Sequence, residues 1–236
     1  MGELWSLLSY GPDGWGDEIL AGTFVTVSLA LATLPIGLVL GFLLALAKNS
    51  PEPSLRAAAN IYTTVFRGLP ELLTLFLVYF GGQMLLQAIL AALGLPPVEV
   101  NSFVAGMIAL SLVFSSYSSE VFLSAFKGIT SGQYEGAGAL GLSRAQTMRL
   151  VILPQLVRLA LPGLSNLWLI LMKETSLVSV IGLADVLRET GVAARVTREA
   201  FFFFAVACSI YLVLSIISSV GIGRLEAWAR RGDFSR

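Results

Sequence analysis

The sequence predicts an all-α polytopic membrane protein with five transmembrane helices, and two observations carry that reading. Of its 236 residues, 56% are hydrophobic and only 13% charged, with a mean hydropathy of +0.82; a soluble domain holds about 25% charged residues. The apolar residues are also gathered into blocks of about 20 or more, the length of helix that crosses roughly 30 Å of hydrocarbon.

The spans follow in order. An N-terminal segment, 1–18, carries Glu3, Asp13, Asp17 and Glu18 but no Lys or Arg, which argues against a cleaved signal peptide with its basic start. The first span covers 19–47 and stops at KNSPEP, where Pro51 and Pro53 end a helix. The second, 60–93, is too long for one straight crossing. It contains RGLPE at 67–71 and two glycines at 81–82, so a bent or broken helix is expected there. The third covers 103–126, the fourth 151–172 and the fifth 200–223, followed by a tail, 224–236. Gly37 and Gly41 form a GxxxG pair, and Ser115, Ser116, Ser118 and Ser119 cluster in span three; both suit close helix packing in lipid.

Charge sets the orientation. The N-terminal segment and the loop 94–102 hold no Lys or Arg. Lys48, Arg56, Lys127, Arg144, Arg149, Arg158 and the tail residues Arg224, Arg230, Arg231 and Arg236 all fall on the other side by simple alternation. The positive-inside rule then places the N-terminus outside, the C-terminus in the cytoplasm and the loop 127–150 in the cytoplasm. Residues 173–199 dissent, because Arg188, Arg195 and Arg198 lie in a loop assigned to the outside. That loop is expected to be a folded or partly re-entrant element.

The loop 127–150 holds an unusual stretch, EGAGALGLSRAQTMRLVILPQ at 135–155. Glu135 suits the first turn of a short helix, where a negative charge meets the positive end of the dipole. Gly136, Ala137, Gly138, Ala139 and Gly141 give a surface almost free of side chains, and each glycine costs a helix about 1 kcal/mol against alanine. Such a surface permits close approach of another protein. Arg144 and Arg149 stand behind it, and Pro154 is expected to interrupt the chain as it re-enters the membrane. The plainer alternative is a solvated loop with incidental small residues.

Glu135, Ala137, Gly141, Leu153 and Pro154 also fit the pattern EAA-x3-G-x9-I-x-LP, with Gly136 at the second alanine and Val151 at the isoleucine. This resembles the EAA loop of the permease subunits of ATP-binding-cassette importers. YTTVFRGLPELL at 62–73 and LPGLSNLWLILMKETSLVSVIGLADV at 161–186 are similar to stretches of the polar amino-acid branch, nearest the Q-type subunit of histidine/lysine/arginine/ornithine and opine importers. The resemblance implies a type I, MetI-like permease fold in a bacterial inner membrane, with an ABC transmembrane domain over 19–223. It further implies an ABC ATPase dimer docked on the EAA loop through Glu135, Gly136, Ala137 and Gly141, with Arg144 at the periphery. An extracytoplasmic solute-binding protein and a second permease subunit, a related M-type chain rather than an identical copy, complete the complex. ATP and Mg would belong to the ATPase, and this chain would bind no cofactor.

Candidate path residues come next. Ionisable side chains inside the membrane face a partner or water. Arg67, Gly68, Leu69, Pro70 and Glu71 form one group: a broken helix would offer free N–H groups and a cation to a carboxylate, and the resemblance places this region on the translocation path. The alternative is a structural kink with Arg67 and Glu71 bonded to neighbouring helices. Asn166 and Trp168 join the candidates in span four, where Leu167 stands at a position some relatives fill with an acid. Glu120 reads as a structural or gating ion-pair member, and Lys173 and Glu174 as anchors at the end of span four.

Other classes find little support. With no histidine, Ser-His-Asp chemistry and histidine metal sites are excluded; no catalytic or metal cluster is seen, and zero net charge gives no sign of nucleic acid. Cys208 is a lone residue in an apolar segment. No GxxxxGK[ST] phosphate loop occurs, so ATP hydrolysis needs a separate subunit and the chain is a non-catalytic component. The competing function is a self-sufficient secondary carrier or channel, but such carriers often show paired repeats, and none is found here.

Overall fold

The computed structural model describes residues 2–12 and 14–230; Asp13, Arg231 and Arg236 lie outside the described residues. A short helix α1, Gly2–Ser6, leads into α2, Gly16–Lys48. After it come α3, Pro53–Gly68, and α4, Glu71–Ala92, which contains a wide π turn at Leu77–Gly81. Then follow α5, Ser102–Gly128, the short α6, Ser131–Ala139, and α7, residues 144–174. A 3-10 turn at Thr175–Ile181 precedes α8, Val186–Thr197, and α9, Ala200–Arg230, is the last described element. Among the described residues, five helices are long and apolar enough to cross a membrane, as the sequence predicts.

The frame is the pair α2 and α5. Gly22, Thr26, Leu29, Thr33, Gly37, Gly41, Ala45 and Lys48 recur every three or four residues, so they form one buried stripe along α2. Thr33 meets Ser111, Gly37 meets Phe114 and Ser118, and Phe42 meets Phe122, so the two helices run parallel. The predicted small-residue packing is present. Ser118 Oγ donates to Gly37 O at 3.2 Å, and a methyl added to Gly41 would collide with Ser118 Oγ. The buried serines Ser115, Ser116 and Ser119 bond the carbonyls three residues back, so none adds an unsatisfied hydroxyl to the interior. A central core of Leu29, Leu75, Leu110, Phe114, Leu171 and Val178 joins α4 and α7 to this frame.

Span boundaries differ from the sequence reading at three places. The second span begins at Glu71, not at residue 60. Residues 53–68 form the separate helix α3, whose exposed positions outnumber its two buried ones, Ala59 and Thr63. The break lies at Leu69, held extended (φ −91°, ψ 141°) as the residue before a proline must be. The glycine pair 81–82 breaks nothing. Finally, Pro154 does not interrupt the chain: α7 runs through it from Arg144. A π turn over Thr147–Ile152 widens the helix just before the ring, absorbing its bulk and its missing N–H.

The dissenting loop is folded, as expected. Asp185 Oδ1 caps α8 by accepting from Arg188 N at 2.8 Å, and Val186 N donates to Thr26 Oγ1 at 3.2 Å. Val186, Thr190, Ala193 and Ala194 bury one face of α8, while Arg188, Arg195 and Arg198 stay exposed on the other. A side chain at Gly22 would strike the Asp185 backbone, so this packing needs glycine there.

Asp185 is fully buried and its Oδ2 has no hydrogen-bond partner. Burial pushes its carboxyl up to about 6 from 3.8. Because the folded value lies above the unfolded one, this group's stabilisation is complete below pH 4 and is lost as pH rises towards 6. At about 1.4 kcal/mol per unit, the change is on the order of 2–3 kcal/mol. Thermal unfolding in detergent is therefore expected to show the Asp185→Asn variant gaining on the wild type by that amount between pH 4 and 7. A constant difference across this range would contradict the assignment.

Candidate functional site

Two regions carry the predicted site residues, and they lie at different levels of the bundle. The first is α6 and its exit. Glu135 sits in the middle of α6 rather than in its first turn, since the helix starts four residues earlier than its position suggests. Ala137 is a second correction: at 4% exposure it faces inward, packed towards the start of α7, and is not part of an open face. Glu135, Gly136, Gly141 and Arg144 are exposed.

Gly141 has a defined local task. Its φ of +76° is left-handed; Leu142 N donates to Ala137 O and Gly141 N to Gly138 O, the paired bonds of a Schellman helix stop. Ser143 then starts α7 with a capping box closed by Gln146. Gln155, on α7, donates from Nε2 both to Gln133 Oε1 on α6 and to Val151 O, tying the short helix to the spanning one. A substitution at Gly141 meets no neighbouring atom, so its cost is conformational. Gly141→Asn is expected to retain most function and Gly141→Val to lose it, because a β-branched residue resists positive φ while asparagine tolerates it. Uptake assays on the two variants check this; equal losses would show that size, not φ, matters there.

By contrast, methyl groups added at Gly132, Gly136 and Gly138 would also meet nothing among the described residues, although all three lie inside α6 with ordinary helical backbone. Internal packing does not require glycine at any of them. Arg144 stands at the first position of α7, where a cation opposes the helix dipole, and lines a shallow pocket with Tyr134, Gly138 and Met148.

The second region is a polar cluster where the end of α2 and the break between α3 and α4 meet α5. Glu120 Oε1 accepts from Lys48 Nζ at 2.6 Å and from Arg67 NH1 at 3.0 Å, so one carboxylate joins α2, α3 and α5. The Arg67 guanidinium also lies 5.8 Å from the Tyr117 ring centre, within cation–π range. Glu71, at the start of α4, and Glu174, at the end of α7, are near enough to interact electrostatically, and Tyr117 senses both. Glu174 thus belongs to this cluster rather than serving as a simple span anchor. The result is two poles, one of cations about Glu120 and one of carboxyls at Glu71 and Glu174. Pro70 gives α4 no side-chain cap, leaving the first N–H groups of α4 without a side-chain acceptor.

Below Glu120, a groove of about 540 Å³ opens between α5 and α7, lined by Val121, Ser124, Gly128, Leu159 and Gly163. Asn166 and Trp168 take different places. Trp168 packs on the central core, and Asn166 is exposed elsewhere on α7. Lys48 and Tyr117 escape a reading by motif. Lys48 nevertheless continues the buried stripe of Gly37, Gly41 and Ala45, which marks it as inward-facing.

Comparison with known proteins places these features in a family. Residues 37–231 match the family described as binding-protein-dependent transport system inner membrane component. The chain is 41% identical over 229 residues to the nopaline transport system permease protein NocQ of Agrobacterium fabrum, covering 96% of this chain and 97% of that protein. It is 36% identical over 206 residues to the histidine/lysine/arginine/ornithine transport system permease protein HisQ of Salmonella typhimurium, covering 87% and 90%. Among solved structures, an amino acid ABC transporter crystallised with histidines superposes with a TM-score of 0.76 at 31% identity, over 90% of this chain and 94% of that one. The MetNI methionine transporter shares the fold, with a TM-score of 0.71 at 13% identity over 98% and 99%.

Proposed function

Because the chain belongs to the family of inner-membrane components of binding-protein-dependent transport systems, we propose that it is the permease subunit of an ATP-driven importer for opines or basic amino acids. A system of this kind implies an ATPase and a solute-binding protein as partners. The N-terminus faces outward and α6 lies in the cytoplasm, in keeping with the Lys and Arg distribution. The ATPase dimer binds ATP and Mg; a related M-type permease pairs with this chain in the bacterial inner membrane.

The observation that carries the coupling reading is α6 itself. Three glycines weaken a nine-residue helix by about 1 kcal/mol each, and nothing within the chain needs them. A closely apposed ATPase surface explains their presence. Glu135, Gly136 and Gly141 form or shape the docking face and Arg144 flanks it, while Ala137 and the Gln133–Gln155 bond transmit movement to α7.

At the polar cluster around Glu120, the two poles match a zwitterionic substrate. Arg67, with the uncapped start of α4, receives a carboxylate; Glu71 and Glu174 receive an ammonium or guanidinium group. The groove below Glu120 is the way out on the α6 side. Purification of the chain from its own membrane tests the reading. An ATPase and a second permease should accompany it, and the reconstituted complex should take up arginine or an opine only with ATP and binding protein. A chain recovered alone that transports without ATP would be a carrier, and the proposal would fall.

A further inference from the structure

Glu120 holds two cations, and they are not equivalent. The Lys48 side chain is 3% exposed and its ammonium has Glu120 as its acceptor at 2.6 Å. The Arg67 side chain is 45% exposed, its bond to Glu120 is longer at 3.0 Å, and it rests against the open Tyr117 ring. Removing Lys48 from Glu120 would strand a buried ammonium, which is costly within a membrane bundle. Swinging Arg67 away strands nothing: Lys48 still neutralises Glu120, and the exposed guanidinium meets water or ligand.

We propose that Glu120 and Lys48 form a positioning pair for Arg67, with Glu120 aiming the guanidinium into the path and Lys48 allowing it to leave for a substrate carboxylate. The proposal rests on the assignment of Arg67 as the carboxylate receptor. Three helices are joined through one oxygen, so the pair also fixes where the break between α3 and α4 stands relative to α5. With two cations and one carboxylate, the triad itself carries one positive charge in excess, so Arg67 can leave without uncovering an unpaired carboxylate. Without Lys48, Arg67 would be the sole counter-ion of Glu120 and would remain bound to it. Without Glu120, Arg67 would be free but unaimed.

The test compares binding of radiolabelled arginine and of agmatine, which is arginine without its carboxylate, to the nucleotide-free complex of both permease chains and the ATPase in detergent, with no solute-binding protein present. The ratio of the two affinities is independent of how much protein is folded. Wild type should prefer arginine roughly tenfold or more, the range of a charge-assisted hydrogen bond. Arg67→Ala should abolish that preference. Glu120→Gln and Lys48→Met should each remove most of it, and Lys48→Arg should restore it. If Arg67→Ala loses the preference while Glu120→Gln and Lys48→Met keep it, the positioning pair is overturned and the role of Arg67 stands. If Arg67→Ala keeps it, or wild type binds neither compound, the underlying substrate assignment is overturned instead.

Discussion

Replacement of Gly41 by leucine should lower accumulation of the protein in the membrane several-fold. α2 and α5 approach along Gly37 and Gly41, and a single added methyl at Gly41 already collides with Ser118 Oγ and crowds Ser115 O at 3.0 Å. Neither can yield cheaply, because Ser115 O is backbone and Ser118 Oγ bonds Gly37 O and Ser115 O. Overpacking typically costs about 1–3 kcal/mol, and a leucine here adds three carbons beyond the first. Against a total stability of about 5–15 kcal/mol, the loss reduces folded protein several-fold. The frame also carries Lys48 and Glu120, so any remaining protein should bind substrate poorly. Membrane-fraction immunoblots of Gly41→Leu beside Gly81→Ala, whose added methyl meets nothing, measure the effect. Equal accumulation of the two would refute the packing account.

Replacement of Gly136 by tryptophan should have the opposite character: a folded, membrane-inserted chain that no longer couples to ATP. The site is exposed, a Cβ there meets nothing in this chain, and tryptophan is a better helix former than glycine, so α6 itself gains. The bulk instead falls between α6 and whatever docks on it. Every 1.4 kcal/mol of clash lowers association about tenfold, and an indole in a close helix contact costs at least that. The ATPase should be lost during purification or retained without substrate-stimulated hydrolysis. Normal uptake by this variant would remove Gly136 from the docking face.

The apolar spans were legible because bilayer thickness demands long unbroken hydrophobic runs, and only a closed helix satisfies the backbone there. The second span was misplaced because α3 is rich in Ala, Ile, Tyr, Val and Phe and reads as a continuation of the apolar block. Its exposure appears only once Tyr62 is seen bonding sideways to Leu112 O and Ser115. Pro154 misled for a related reason, since the cost of an internal proline depends on whether the preceding turn can widen.

At the candidate site, the pattern from Glu135 to Pro154 located the loop, whereas the role of Gly141 as the stop of α6 emerges only from its positive φ and the bonds around it. Which side of α6 faces inward was not legible, because a nine-residue helix with no apolar stripe takes its orientation from its neighbour α7. The ion-pair cluster was half legible. Arg67, Glu71 and Glu120 stand out as charges within apolar sequence. Their grouping with Lys48, Tyr117 and Glu174 links residues far apart in the chain, and tertiary packing alone creates it.

The central claim is that α6 is the joint to the ATPase. It is tested most directly by placing a cysteine at Gly138 in a Cys208→Ser chain, attaching a short photoactivated cross-linker, and identifying what is captured in native membranes. The account predicts a cross-link to the ATPase subunit. A probe at Gly138 that captures only lipid or the chain itself, in a complex that still transports, would contradict it.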